Sequence, residues 1–191
     1  MARWKQSLVW IRRMGYCRGF GIQSPWAYRF VRYVVNEHYP YYAYDNMKAK
    51  YPYLSPLEHH IGRLFFRISN YVRGAHWAFA FENIPYLSAY IMAGSHSATI
   101  SSAVHVPLDK GIDILVMALS DGIEPLFRSF CSHAGKKSML IVMDIRKSKT
   151  SLSKWKRMTH DHHTGVCFDL YYCGLIFFNT SMTKEVYKVN F

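Results

Sequence analysis

Apolar residues in the first third of the chain recur at helical spacing. Trp4, Leu8 and Ile11 fall at i, i+4 and i+7, with Arg3, Lys5, Arg12 and Arg13 on other faces, which predicts a short amphipathic helix over residues 3–14. Gly15, Gly19 and Gly21 break it. Ser24 and Pro25 supply the N-cap and first position of a second helix, whose apolar stripe is Trp26, Phe30, Val31 and Val34. Leu57, Ile61, Leu64, Phe65, Ile68 and Tyr71 repeat at the same spacing over 56–72, and Gly74 ends that helix. Residues 39–53, YPYYAYDNMKAKYPY, show no clear period and read as a Tyr- and Pro-rich connection.

After Gly74 the period changes. Residues 77–81 form a short apolar strand, 85–92 a helix, and 98–106 another strand. Ile112, Ile114, Leu115, Val116 and Met117 then make the continuous run expected of a buried parallel strand. A helix over 123–133 leads to KSMLIVMDI, a second such run that ends at Asp144. A helix over 152–158 precedes the strands GVCFDL, GLIFFN and EVYKVNF, of which the last two read as an antiparallel edge pair. Strands alternating with helices in this order predict an α/β sheet with helical crossovers. The change of pattern divides the chain into a helical region, 1–73, and a sheet domain, 74–191.

Composition narrows the class. A chain of 191 residues, half apolar and 19% charged, buries a substantial core and is not a disordered segment. The net charge of +12 favours anionic partners. Seven Lys or Arg precede the first carboxylate, Glu37, so Arg12, Arg13 and Arg18 are candidates for contact with a polyanion. A second basic concentration follows residue 135, with Lys147, Lys154 and Lys156 as its candidates. The four cysteines match no disulfide framework, which points to reduced thiols and a cytoplasmic location. Arg12 and Arg13 interrupt the apolar start before it reaches signal-peptide length, and no segment approaches the roughly 18 apolar residues of a membrane span. His160, Asp161, His162 and His163, with Cys167 behind, read as a polar loop and not a metal centre, since neighbouring side chains on extended backbone point apart. Neither a nucleophile elbow nor a P-loop is present.

Three stretches carry a resemblance. CRGFGIQSPWAYRFVRYVV near the start, DILVMALSDGIEPLFRSFCSHAGKKSMLIVMDI in the middle, and FDLYYCGLIFFN with the terminal YKVNF look like a bacterial group of class I S-adenosylmethionine-dependent methyltransferases. The resemblance implies a Rossmann-like sheet, mostly parallel with an antiparallel C-terminal β-hairpin, preceded by N-terminal helices. It makes 77–82 the first strand, 113–118 the fourth and 139–144 the fifth of the family's order. By the same resemblance Glu82, Asn83 and Asp121 are cofactor-binding candidates, and Asp121 with Asp144 forms a candidate substrate or metal pair at strand ends.

The chain departs from that pattern twice. Family members follow the first strand with an acid and a glycine turn, because the backbone must approach the cofactor closely. Here Glu82 is followed by Asn83, Ile84, Pro85, Tyr86, Leu87 and Ser88. Ile84 adds a branched side chain, and Pro85 removes an N–H and fixes φ. In addition, only about thirty residues separate Glu82 from Asp113, too few for a second strand, a helix and a third strand. The sheet is therefore expected to be reduced. The first functional expectation is a degenerate, non-catalytic methyltransferase-like protein that does not bind S-adenosylmethionine and serves as a binding or scaffold protein for a protein or polyanion. The alternatives are an active S-adenosylmethionine-dependent methyltransferase with an atypical pocket, and a basic module for RNA or another polyanion.

Overall fold

The computed structural model describes residues 3–16, 21–82, 84–103, 111–120 and 122–191. Helix α1 (Arg3–Arg12) comes first, then α2 (Pro25–Phe30), which widens into a π-helical turn over Val31–Val35. Ser24 caps α2 by accepting from the Ala27 N–H. The carbonyls left free where this helix ends meet a buried guanidinium: Arg67 donates to the Val34 and Val35 oxygens at 2.6 and 2.9 Å. Helix α3 (Tyr42–Lys50) occupies the stretch in which the sequence shows no period. Of its two rings, Tyr42 is exposed, and Tyr44 alone is buried on the helix, against Phe66 at 5.2 Å. Helix α4 (Pro56–Val72) opens with a reciprocal Ser55 and Glu58 capping box and buries Ile61, Leu64, Phe65 and Ile68.

The remaining elements alternate. They are β1 (His76–Phe79), α5 (Pro85–Gly94), β2 (Thr99–Ser102), β3 (Ile114–Ala118), α6 (Glu124–His133), β4 (Met139–Met143), α7 (Lys149–His160), β5 (Cys167–Asp169), β6 (Cys173–Phe177) and β7 (Val186–Lys188). The sheet order is β2-β1-β3-β4-β6-β5-β7. Strands β2, β1, β3 and β4 are parallel neighbours. Strand β6 runs antiparallel to both β4 and β5.

This is the mixed, Rossmann-like sheet expected, and its antiparallel hairpin is β5–β6. The pairing expected of the last two strands is corrected: GLIFFN lies inside the sheet, and β7 pairs in parallel with β5. Burial explains the difference. All five β6 residues are buried, as a central strand requires, whereas the β7 residues are exposed or half-exposed. Gly174 in β6 leaves room for the Trp155 ring, which a Cβ would meet at 2.3 Å.

Side-chain alternation sorts the core into two layers. Trp77, Phe79, Ile114, Val116 and Ile141 face Phe30, Leu64, Phe65 and Leu87 of the N-terminal helices and α5. Ala78, Leu115, Met117, Leu140 and Val142 face Phe127, Phe130, Trp155 and Met158 of α6 and α7. Among the described residues no helix is long and apolar enough to cross a membrane.

Candidate functional site

In an open α/β sheet the place to look is the carboxyl edge at the point where strand order reverses. Here β2 and β3 flank β1 on opposite sides, so that point lies beyond Phe79 and Ala118. The chain leaving β1 stays on the sheet, with the Ala80 N–H donating to the Val116 oxygen at 2.8 Å. The Phe81 ring meets Phe79 edge-on at 5.5 Å. Ile84 holds the N-cap position of α5 with extended backbone and no side-chain cap, and its carbonyl accepts from Leu87 and Ser88 at 3.0 and 3.3 Å. Phe81, Ile84 and Tyr86 all pack on the core cluster that contains Phe79 and Leu87. Among the described residues, partly buried apolar side chains thus flank the turn and anchor it to the core. Burial first, then the charges of Glu58 and Asp144, push the Tyr86 phenol up to about 12, so it stays protonated.

Glu82 is exposed at the rim of this turn. Asp144 is also exposed, at the end of β4, with φ +57. A short polar side chain tolerates that left-handed backbone, and the turn is tied by the Asp144 N–H to the Tyr172 oxygen (2.8 Å) and by the Lys147 N–H to the Asp144 oxygen (3.0 Å). Asn83, Asp121 and Arg18 lie outside the described residues, so the expected pairing of Asp121 with Asp144 does too. Strand β2 is the outer strand of the sheet among the described residues, and its sequence, Thr-Ile-Ser-Ser, ends without an acid.

The strongest charged contact at this edge centres on Asp169, which the sequence reading did not single out. Its carboxylate is 4% exposed and receives Arg13 at 3.2 Å on Oδ1 and Arg146 at 2.5 Å on Oδ2. The Tyr171 N–H donates to Oδ1 at 2.9 Å. Arg13 also donates to the backbone oxygens of Asp169 (2.6 Å) and Val189 (3.0 Å). Arg13 is therefore no candidate for a polyanion: it is buried, and its guanidinium is committed inside the protein. Burial lowers its pKa, with Asp169 opposing the shift. Tyr171, at φ +75, is held over both guanidinium groups at 5.6 and 5.5 Å. An acid inside the apolar run CFDLYYCGLIFF was the available signal, since a buried carboxylate demands a cation.

The other cationic candidates are spread out. Arg12, Lys147 and Lys156 are exposed. Lys154 donates to the Ser120 oxygen at 2.8 Å and so ties α7 to the segment after β3. A cavity of about 490 Å³ lies beside the carboxyl edge, lined by Trp10, Ile11, Leu57, His60, Tyr172 and Phe191. His60 packs against Phe191 at 4.2 Å with the rings tilted, and burial drives its pKa down to about 4.

The histidine-rich loop is assembled differently from its sequence spacing. Cys167 is buried in β5, and burial pushes its thiol up to about 12. It is Cys131, from α6, that comes beside Asp161 and His163.

The sheet, parallel from β2 to β4 with β6 running antiparallel between β4 and β5, is mixed and Rossmann-like. No family model matches the chain, and no curated protein matches it. Among solved structures, the mitomycin 7-O-methyltransferase MmcR is 10% identical, with a TM-score of 0.37. That likeness covers 91% of this chain and 66% of the length of MmcR.

Proposed function

We propose that the chain is a methyltransferase-like protein that has lost its cofactor site and works without catalysis, as a binding or scaffold protein. The observation that carries the reading is the turn after β1. A cofactor cradle needs backbone that a ligand can approach and N–H groups that remain free. Here Phe81, Ile84 and Tyr86 pack into the core, and Pro85 at the first position of α5 has no N–H to offer. S-adenosylmethionine does not fit these residues, and no chemical step is assigned to it. The short edge strand β2 supports the same reading, since it brings no acid to the position where ribose hydroxyls would need one. The aromatic-lined cavity between α1, α4 and the β5–β6 turn is the surface such a protein would use.

Calorimetry and thermal denaturation with S-adenosylmethionine and S-adenosylhomocysteine test the proposal. A ligand at a hundred times its Kd stabilises the native state by about 2.7 kcal/mol. The expected result is no heat of binding and no shift in Tm. Saturable binding of either compound would overturn the reading in favour of an active enzyme.

A further inference from the structure

Cys131 lies in the last turn of α6, Asp161 caps the carboxyl end of α7, and His163 follows in the loop to β5. One ligand atom from each lies within 4.8 Å of the other two. Packing brings them together. Phe127, Phe130 and Cys131 of α6 share a core cluster with Trp155 and Met158 of α7, so the two helices finish side by side. They finish where β4 and β5 begin, at the opposite end of the sheet from the carboxyl edge.

The cluster is held from several directions. Asp161 Oδ1 accepts from the backbone N–H of His163 at 3.0 Å and lies 2.8 Å from its Nδ1. Thr164 donates through its hydroxyl to the Asp161 backbone oxygen at 2.7 Å, and the Lys184 ammonium donates to the same oxygen. The His162 ring lies 3.8 Å from that of His163. Cys131 is buried, Asp161 is half-buried and His163 is exposed, so the cluster opens to solvent on one side.

A thiolate, a carboxylate and a neutral imidazole carry two negative charges, which balance a divalent cation. A soft sulfur with an imidazole nitrogen selects zinc over magnesium or calcium. Bonds of about 2.3 Å to sulfur and 2.0 Å to nitrogen or oxygen draw such ligand atoms to within about 4 Å of one another. The exposed His163 side chain can close that remaining distance.

We infer that Cys131, Asp161 and His163 form a zinc site at the end of the sheet opposite the carboxyl edge, with its fourth position open to solvent. The site is independent of the proposed loss of cofactor binding. Zinc binds the thiolate, so forming the Sγ–Zn bond releases the Cys131 thiol proton to solvent. The imidazole binds through a nitrogen without a proton, its single N–H remaining on the other nitrogen.

The test uses the full chain, stripped of metal by a chelator and titrated with Co²⁺, a spectroscopic stand-in for zinc. One equivalent should produce a thiolate-to-cobalt charge-transfer band, which added Zn²⁺ abolishes. Cys131→Ser should lack the band. His163→Ala changes an exposed side chain and leaves folding intact, and should weaken binding by at least the roughly tenfold that even outer-shell partners contribute. A wild-type chain without the band, a band that survives Cys131→Ser, or unchanged affinity in His163→Ala would each overturn the assignment.

Discussion

Replacing Asp169 by Asn tests whether the N-terminal segment is locked to the sheet by charge. Asn keeps the volume but removes the charge that faces two guanidinium groups, at 3.2 and 2.5 Å. Breaking a buried pair by removing one partner costs about 3–5 kcal/mol, because the other charge stays buried. Two features place Asp169→Asn at the low end. Arg146 is a quarter exposed and can turn to water, and Arg13 keeps the carbonyls of Asp169 and Val189. The expected loss is about 3 kcal/mol, which lowers Tm by about 6–12 °C in a chain of this size. Urea unfolding should show a lower midpoint with an unchanged slope. Arg13→Met should cost less, since Asp169 retains Arg146 and the Tyr171 N–H. The double variant should cost less than the sum of the two, by about 1 kcal/mol or more. A loss under about 1 kcal/mol for Asp169→Asn, as at a surface pair, or strict additivity of the two changes, would refute the lock.

Two other perturbations follow from packing and burial. In Gly94→Ala the new Cβ would lie 2.3 Å from the Phe66 backbone oxygen, so α4 and α5 must separate; a net loss of about 2 kcal/mol is expected in chemical denaturation, against none for Gly135→Ala, where nothing lies within 4 Å. His60 should make stability depend on pH: its folded pKa of about 4 lies below the unfolded value of 6.5, so the unfolded chain binds more protons between them. Stability should be full above pH 6.5 and fall as the pH drops towards 4, by on the order of 2 kcal/mol, since the ring is only partly screened from water. His60→Gln should flatten that slope, and an unchanged slope in the variant would assign it to other groups.

Regular periods made most of this fold legible. The apolar runs at 114–118 and 139–143 are β3 and β4, the Ser24-Pro25 pair starts α2, and the apolar period over 56–72 is α4. Helix α3 was hidden because its two tyrosines lie apart, Tyr42 exposed and Tyr44 buried, and its other apolar residues are few. The place of β6 was hidden because a continuous apolar run says that a strand is covered on both faces, not which strands lie beside it. The two side-chain clusters were hidden by sequence distance: Arg13 and Asp169 meet across the whole chain, and Cys131 reaches Asp161 only because α6 and α7 share one face of the sheet.

These contacts bear on why the turn after β1 differs from a glycine turn in more than sequence. A glycine turn is a backbone feature, and a substitution there could be reversed without disturbing the core. Ile84 and Tyr86 instead pack on the cluster that joins α2, α4 and α5 to the sheet, and Tyr86 also meets the cluster of Tyr44, Phe66 and Tyr90. Removing them would open voids in a close-packed interior, which costs free energy at each lost contact. On the same edge, the β5–β6 turn that carries Tyr171 and Tyr172 is fixed by Asp169, and Asp169 holds Arg13 from the N-terminal segment. The carboxyl edge is thus joined both to the N-terminal segment and to the aromatic core. Packing of this kind holds the edge in one shape, and a fixed, aromatic-lined shape is what the proposed binding function needs.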